Sequence, residues 1–405
     1  MHQRQMILLA VAVLHAAGPA CGDGCYFPYL LKTGKATDLV SSPKQEAVLI
    51  ADEPDVRVIL RTHFTAGPED LAWVVPIPAK PSEIGPGPDV FGDLNDATAP
   101  LFTILSPRPF GLHLKCGCGA GGPTYETVDR TVVVEAARTA GIFKYVVLSA
   151  RDTGALEDWL DSHHYAVPDG AADVMERYVQ AGWYWLAMRV RPDKAREPTL
   201  APHPVTYTYQ AENLTYPMVI SRLSAAAQNE IVLYVLSRRR WRCTNWANMT
   251  MDELTGDRLV ADDTSPSGTT YEALFAAETA RQKHHLFVTE FARDIDNVAM
   301  RDILDKLVGR DRAVPSYLTR LRAIMPPGAM DRDVELAAMG RWAPDVTNRL
   351  DIYPQSTSQA SVTGVVAPLL WMPTLLWTGA ALIRRRRRAA GAGLIALACV
   401  ILTMF

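Results

Sequence analysis

The chain has few cysteines, no excess of positive charge and no sequence signature of a common active site. Six cysteines in 405 residues are too few for a small scaffold stapled by disulfides. With 26 Gly and 28 Pro, it is neither collagenous nor of low complexity. Lys and Arg number 41 against 44 Asp and Glu, a formal charge of −3, so nothing argues for a nucleic-acid partner. No G-x-S-x-G, P-loop or H-E-x-x-H string occurs, so no motif calls for a cofactor or a metal. Catalytic groups assembled from distant positions leave no such string. What is present is 48% apolar and 21% charged, which excludes disorder as a description of the whole chain. The apolar residues concentrate at the two ends.

At the N-terminus, Arg4 precedes an apolar run over residues 6–14, followed by Ala16, Ala17, Gly18, Pro19 and Ala20. A basic start, a short apolar core and small residues make a secretory signal, so residues 1–20 are read as a signal peptide. Cleavage after Ala20 would leave Cys21 first, which raises lipidation as the alternative to ordinary signal cleavage. Near the C-terminus, residues 361–383 carry no charge. As a helix they cover about 34 Å at 1.5 Å per residue, enough to cross the ~30 Å hydrocarbon core. The run Arg384, Arg385, Arg386, Arg387 and Arg388 follows. By the positive-inside rule it stays cytoplasmic and places everything before it outside. Residues 389–405 are again uncharged and are read as a second span that closes a helical hairpin. The expected localisation is the cell membrane, with most of the chain extracytoplasmic. Setting aside Arg4 and the five arginines leaves 35 basic against 44 acidic residues, so the exported part carries −9.

Export into an oxidising compartment makes Cys21, Cys25, Cys116, Cys118 and Cys243 candidates for structural disulfides. Five is odd, so one thiol is left over. The close pair Cys116 and Cys118 lies in a Gly-rich turn and also admits redox chemistry or half of a zinc site.

The exported region reads as α+β: mainly antiparallel sheet with inserted short helices. Val56, Val58, Leu60 and Thr62 alternate with Arg57, Ile59, Arg61 and His63, a period of two. The turn Asp52-Glu53-Pro54-Asp55 joins this run to residues 47–51 as a hairpin. Further strands are expected at 71–77, 131–136, 143–148, 183–190, 205–209, 216–221, 231–237 and 285–291. The prolines at 76, 78, 81, 86 and 88 exclude a central strand over that stretch. Helices are expected after Asp152 or Thr153, after Asp169, and near 271–281, 298–308 and 316–324. The Asp-, Ser- and Gly-rich stretch 256–270 divides a main part, 21–255, from a C-terminal part, 256–350. Residues 351–360 form a polar tether.

The Cys21-Gly22…Cys25 start, QEAVLIADEPDVRVILRTHF, PEDLAWVVPIP, ALEDWLDSHHYAVPDGAADVMERYVQAGWYWLAMRV, SRLSA and SYLTRLRAIMPPGAMDRDVEL together resemble the exported bacterial proteins of domain-of-unknown-function family 2330. The resemblance covers about residues 21 to 339. It implies a secreted or membrane-tethered envelope protein with no assigned activity, so no catalytic residue carries over. The family commonly has one C-terminal span, and residues 389–405 depart from that.

Other candidates have ordinary structural explanations. His163-His164 ends a short helix, where adjacent side chains diverge by about 100°. Asp294, Asp296 and Asn297 open like a calcium loop, but the loop Gly and distal Glu are missing, so they read as a helix cap. Arg238, Arg239, Arg240 and Arg242 end a strand and could meet an anionic envelope polymer. Trp159, Trp183, Trp185, Trp241, Trp246 and Trp342 are expected in the core. The sequence favours a membrane-anchored extracytoplasmic domain that binds or scaffolds an envelope polymer or protein without catalysis. The alternative is an extracytoplasmic enzyme, either a thiol-disulfide oxidoreductase using Cys116 and Cys118 or a metal-dependent hydrolase.

Overall fold

A computed structural model of the protein describes residues 24–28, 42–65, 71–104, 139–140, 143–150, 152–190, 199–200, 203–309 and 315–352. The signal, Cys21, Cys116, Cys118, the 131–136 strand and everything from residue 353 on lie outside them.

In chain order the strands begin with β1 (Cys25–Pro28), β2 (Ser42–Asp52), β3 (Asp55–Thr62), β4 (Phe64–Thr65), β5 (Leu71–Ile77), β6 (Ser82–Pro86) and β7 (Leu101–Ile104). Next come β8 (Thr139–Ala140), β9 (Phe143–Ser149), β10 (Tyr184–Val190), β11 (Thr199–Leu200), β12 (Val205–Gln210), β13 (Leu214–Tyr216) and β14 (Ala225–Ser237). The last are β15 (Trp241–Cys243), β16 (Ala247–Thr250), β17 (Leu286–Asp294), β18 (Tyr317–Met325), β19 (Val334–Ala338) and β20 (Arg349–Ile352). The helices are α1 (Phe91–Thr98), α2 (Thr153–Ser162), α3 (Ala171–Gln180), α4 (Met251–Thr255), α5 (Tyr271–Arg281) and α6 (Arg301–Val308).

Two sheets dominate. The larger has eight strands in the order β16-β17-β18-β14-β2-β3-β12-β6, and the smaller has five in the order β1-β5-β10-β9-β8. Their facing sides share one apolar cluster: Ala47, Leu49, Leu60, Leu233, Val235 and Leu321 from the larger meet Trp73, Val75, Phe143, Leu186 and Met188 from the smaller. The other face of the small sheet packs on α2 and α3 through Ala72, Val74, Trp185, Leu156, Val174 and Tyr178. The other face of the large sheet carries α1 and α6 at one end and α4 and α5 at the other. The result is four layers, helix–sheet–sheet–helix.

The local reasons are legible. The alternation over β2 and β3 buries Val58 and Leu60 against the small sheet and turns Ile59 and Arg61 outward. Asp52 faces Asp55 across the hairpin turn. Asp152 caps α2 by accepting from the Ala155 N–H at 2.8 Å, satisfying one of the free donors of its first turn. Helix α3 buries Ala171, Val174, Met175, Tyr178 and Val179 on one face. Its cap is Gly170 at φ +78° rather than Asp169. Pro76 sits in β5 beyond the four residues that β1 pairs, opposite Trp185 of β10. The proline-bearing β6 is an edge strand.

Two expectations change. Residues 317–325 form a strand, not the helix expected at 316–324: β18 pairs β14 over nine residues on one side and β17 on the other. Leu318, Leu321 and Ile324 fit a helical stripe, but Arg320 and Arg322 decide. In a strand they share one face, where Glu290 takes both. The strand expected at 216–221 stops at Tyr216, and a 3-10 turn takes over at Val219–Leu223, because Pro217 offers no N–H to the ladder. The sheet is mainly antiparallel, yet its centre is not, since β2 and β14 run parallel. Parallel neighbours need a long crossover, and much of the small sheet lies within it. Strands from both sides of residues 256–270 belong to the one large sheet.

Gly24 enters β1 at φ +78°, and a Cβ there would lie 2.5 Å from the Val74 carbonyl oxygen and 2.8 Å from Trp73 Nε1. Gly24→Ala is therefore expected to lose on the order of 1–3 kcal/mol through strain and overpacking. A urea-unfolding midpoint unchanged from the parent would contradict this.

Candidate functional site

Charges cross the outer face of the large sheet, between its two apolar patches. Lys44 and Glu46 come from β2, Arg61 and His63 from the edge of β3, and Glu230 from β14. Glu290 comes from β17, Arg320 and Arg322 from β18, and Glu272 from α5. Glu46 is fully buried. It accepts from Arg61 Nη2 at 2.6 Å, lies 3.0 Å from His63 Nε2, and pairs with Lys44 at 3.1 Å. Lys44 reaches Glu230 at 3.6 Å, and Glu230 accepts from Arg322 Nε at 2.7 Å. Arg322 also meets Glu272 at 3.0 Å and Glu290 at 3.5 Å. Glu290, fully buried, accepts from Arg320 Nε at 2.8 Å and from the Tyr271 hydroxyl at 2.7 Å. Arg320 donates further to the Tyr234 hydroxyl at 2.9 Å and to Asn95 Oδ1 at 3.2 Å. Guanidinium groups of Arg61, Arg320 and Arg322 lie over Phe91, Tyr234 and Phe275.

The electrostatics fix the charge states. Burial alone would raise Glu46, but His63, Lys44 and Arg61 more than offset it and hold the carboxyl down to about 2. Glu230 is lowered in the same way, with Arg322 and Lys44 outweighing burial. Burial would lower Arg320 and Arg322, but Glu290 leads the carboxylates that raise both. Glu46, Glu230, Arg320 and Arg322 are thus each held in the charged form by their partners. Buried ion pairs with good geometry hold a register.

Of the thiols that sequence reasoning singled out, the two among the described residues do not meet each other. Cys25 lies in the cluster beneath α2 and α3, and Cys243 in the cluster between the sheets. Both are free and buried. Burial pushes Cys25 up to about 12 and raises Cys243 further, so neither is a ready thiolate. Cys21, Cys116 and Cys118, with the arginines 384–388, lie outside the described residues. His163 caps α2: its Nδ1 lies 2.8 Å from the Trp159 carbonyl oxygen, and its ring stacks on Trp159 at 4.3 Å. Asn297 accepts from the Ala299 and Met300 N–H groups in the turn ahead of α6, and Asp296 pairs with Arg301 at the start of that helix. The N-cap is Met300, with no side-chain cap bond, so the expected helix cap is not formed by these side chains.

The arginine run divides. Arg238 pairs with Asp52 at 3.0 Å. Arg240 and Arg242 flank Trp241, whose ring, with Cys243, turns into the core. They line a cleft of about 410 Å³ walled by Met249, Met339, Pro344 and Val346, with Asp252, Glu253 and Asp345 also present. Arg240 is only 7% exposed. Its Nη1 donates to the Pro344 carbonyl at 3.1 Å, while its Nε has no acceptor among the described residues. Burial pulls its guanidinium below the ordinary value. The Glu253 carboxylate accepts from the Thr250 N–H at 2.6 Å, and Asp345 accepts from the Tyr317 hydroxyl at 2.7 Å. On the loop that walls this cleft, Trp342 is 90% exposed, against the expectation of a core role. Trp185, Trp241 and Trp246 are buried.

The family described as "uncharacterized protein conserved in bacteria (DUF2330)" matches residues 20–337. No curated protein matches. A solved structure, the crystal structure of baculovirus P35, is similar at 10% identity with a TM-score of 0.28. That alignment covers 50% of this chain and 65% of the P35 chain, a likeness too slight to carry an argument.

Proposed function

The chain belongs to the DUF2330 family of bacterial proteins, and from that premise we propose a membrane-anchored extracytoplasmic domain that binds or scaffolds an envelope component without catalysis. The observation that carries this reading is the belt. Among the described residues, the buried charges of the belt are spent on mutual pairing, each carboxylate facing a cation, and their role is to hold the sheet against its helices. The anchor rests on the uncharged residues 361–383 and the arginines after them. No helix among the described residues is long and apolar enough to cross a membrane.

Fractionation of cells producing the full chain tests the anchor. The chain is expected in the membrane pellet after a high-salt wash, with its bulk cleaved by protease added from outside. Recovery in the soluble cytoplasmic fraction would overturn the proposal.

A further inference from the structure

We propose that the cleft lined by Arg240 and Arg242 binds the C-terminal carboxylate of a short peptide with an apolar last residue. An arginine only 7% exposed is costly to bury without an anion, yet no carboxylate among the described residues forms an ion pair with Arg240. It has one bond to a carbonyl oxygen and an Nε with no acceptor. The neighbouring carboxylates Glu253 and Asp345 are engaged elsewhere, by the Thr250 N–H and the Tyr317 hydroxyl. Arg242 is exposed on the same lining, two residues along the chain. Two guanidinium groups at i and i+2 of an extended segment share a face and offer the planar donor fork that fits a carboxylate.

The rest of the lining selects among anions. Met249, Met339, Pro344 and Val346 are apolar and suit an aliphatic side chain next to the carboxylate. Asp252, Glu253 and Asp345 repel a dianion such as phosphate and favour a ligand with an ammonium beside its single negative charge. A volume of about 410 Å³ lies within the range of small-ligand sites.

The proposal rests on the reading of the chain as a binding domain and names its ligand class. The full chain, purified in detergent, is titrated calorimetrically with alanyl-leucine, with the C-terminal amide of that dipeptide, and with inorganic phosphate. Alanyl-leucine is expected to bind saturably, and neither the amide nor phosphate is expected to displace it. Arg242→Gln, an exposed change, is expected to weaken binding about tenfold or more with the unfolding temperature unchanged. Arg240→Gln is expected to abolish binding, and Arg242→Gln alone decides the matter if that variant does not fold. Absence of saturable binding, equal binding of the amide, displacement by phosphate, or parental affinity in Arg242→Gln would overturn the proposal. None of these results bears on fractionation, so failure of the ligand assignment is distinct from failure of the anchored-domain reading.

Discussion

Arg320→Met is expected to destabilise the protein by about 3–5 kcal/mol, because it strands a buried carboxylate without its cation. Glu290 is fully buried and keeps only the Tyr271 hydroxyl at 2.7 Å and Arg322 at 3.5 Å. The Tyr234 hydroxyl and Asn95 Oδ1 lose their donor at the same time. At roughly 1–2 °C per kcal/mol for a folded region of more than 300 residues, the unfolding temperature falls by roughly 3–10 °C. A variant that melts within 2 °C or so of the parent would show the pair to be unimportant. The double change Glu290→Met with Arg320→Met removes both charges, and well-packed apolar replacements of ion pairs are often close to neutral. The double variant is expected to lose less than Arg320→Met alone.

The second large effect is on acid stability. The folded Glu46 carboxyl titrates at about 2 against an ordinary value of 4.5. A depressed carboxylate contributes its stability above the ordinary value and loses it as pH falls through that value toward the folded one. The contribution is about 3 kcal/mol, fully present at pH 7 and lost between about pH 4.5 and pH 2. The groups facing Glu46 are Lys44, Arg61 and His63. Glu46→Gln is expected to be less stable at pH 7 and to flatten the fall across that window, as read from urea midpoints at stepped pH. Parallel curves for the variant and the parent would contradict the assignment.

Much of the architecture is legible from period and turn chemistry. The hairpin at Asp52–Asp55, the Asp152 cap and the five buried positions of α3 follow from local pattern alone. Residues 317–325 do not, because Leu318, Leu321 and Ile324 satisfy a helical stripe as well as a strand, and partners far along the chain decide. Glu290 and Glu230 settle it by receiving Arg320 and Arg322. The belt itself is hidden for the same reason. Glu46, Glu230, Glu290, Arg320 and Arg322 each stand at the outward position of an alternating strand, where sequence reasoning expects solvent. Only the layer of helices above that face makes them interior. A weak signal exists, since the outward positions of β2 pass from Lys44 and Glu46 to Val48 and Ile50, which shows that face leaving water. In the arginine run, the alternation about Trp241 and Cys243 separates Arg240 and Arg242 from their neighbours. The burial of Arg240 depends on residues 339–346, a hundred positions away.

The belt holds sheet to helix, while recognition is proposed for the Arg240 cleft. The Glu290→Met, Arg320→Met double variant separates the two when measured both by urea unfolding and by titration with alanyl-leucine. Cooperative unfolding, a smaller loss of stability than in Arg320→Met alone, and the parental affinity for the dipeptide are expected. A folded double variant that no longer binds the dipeptide would instead place recognition in the belt.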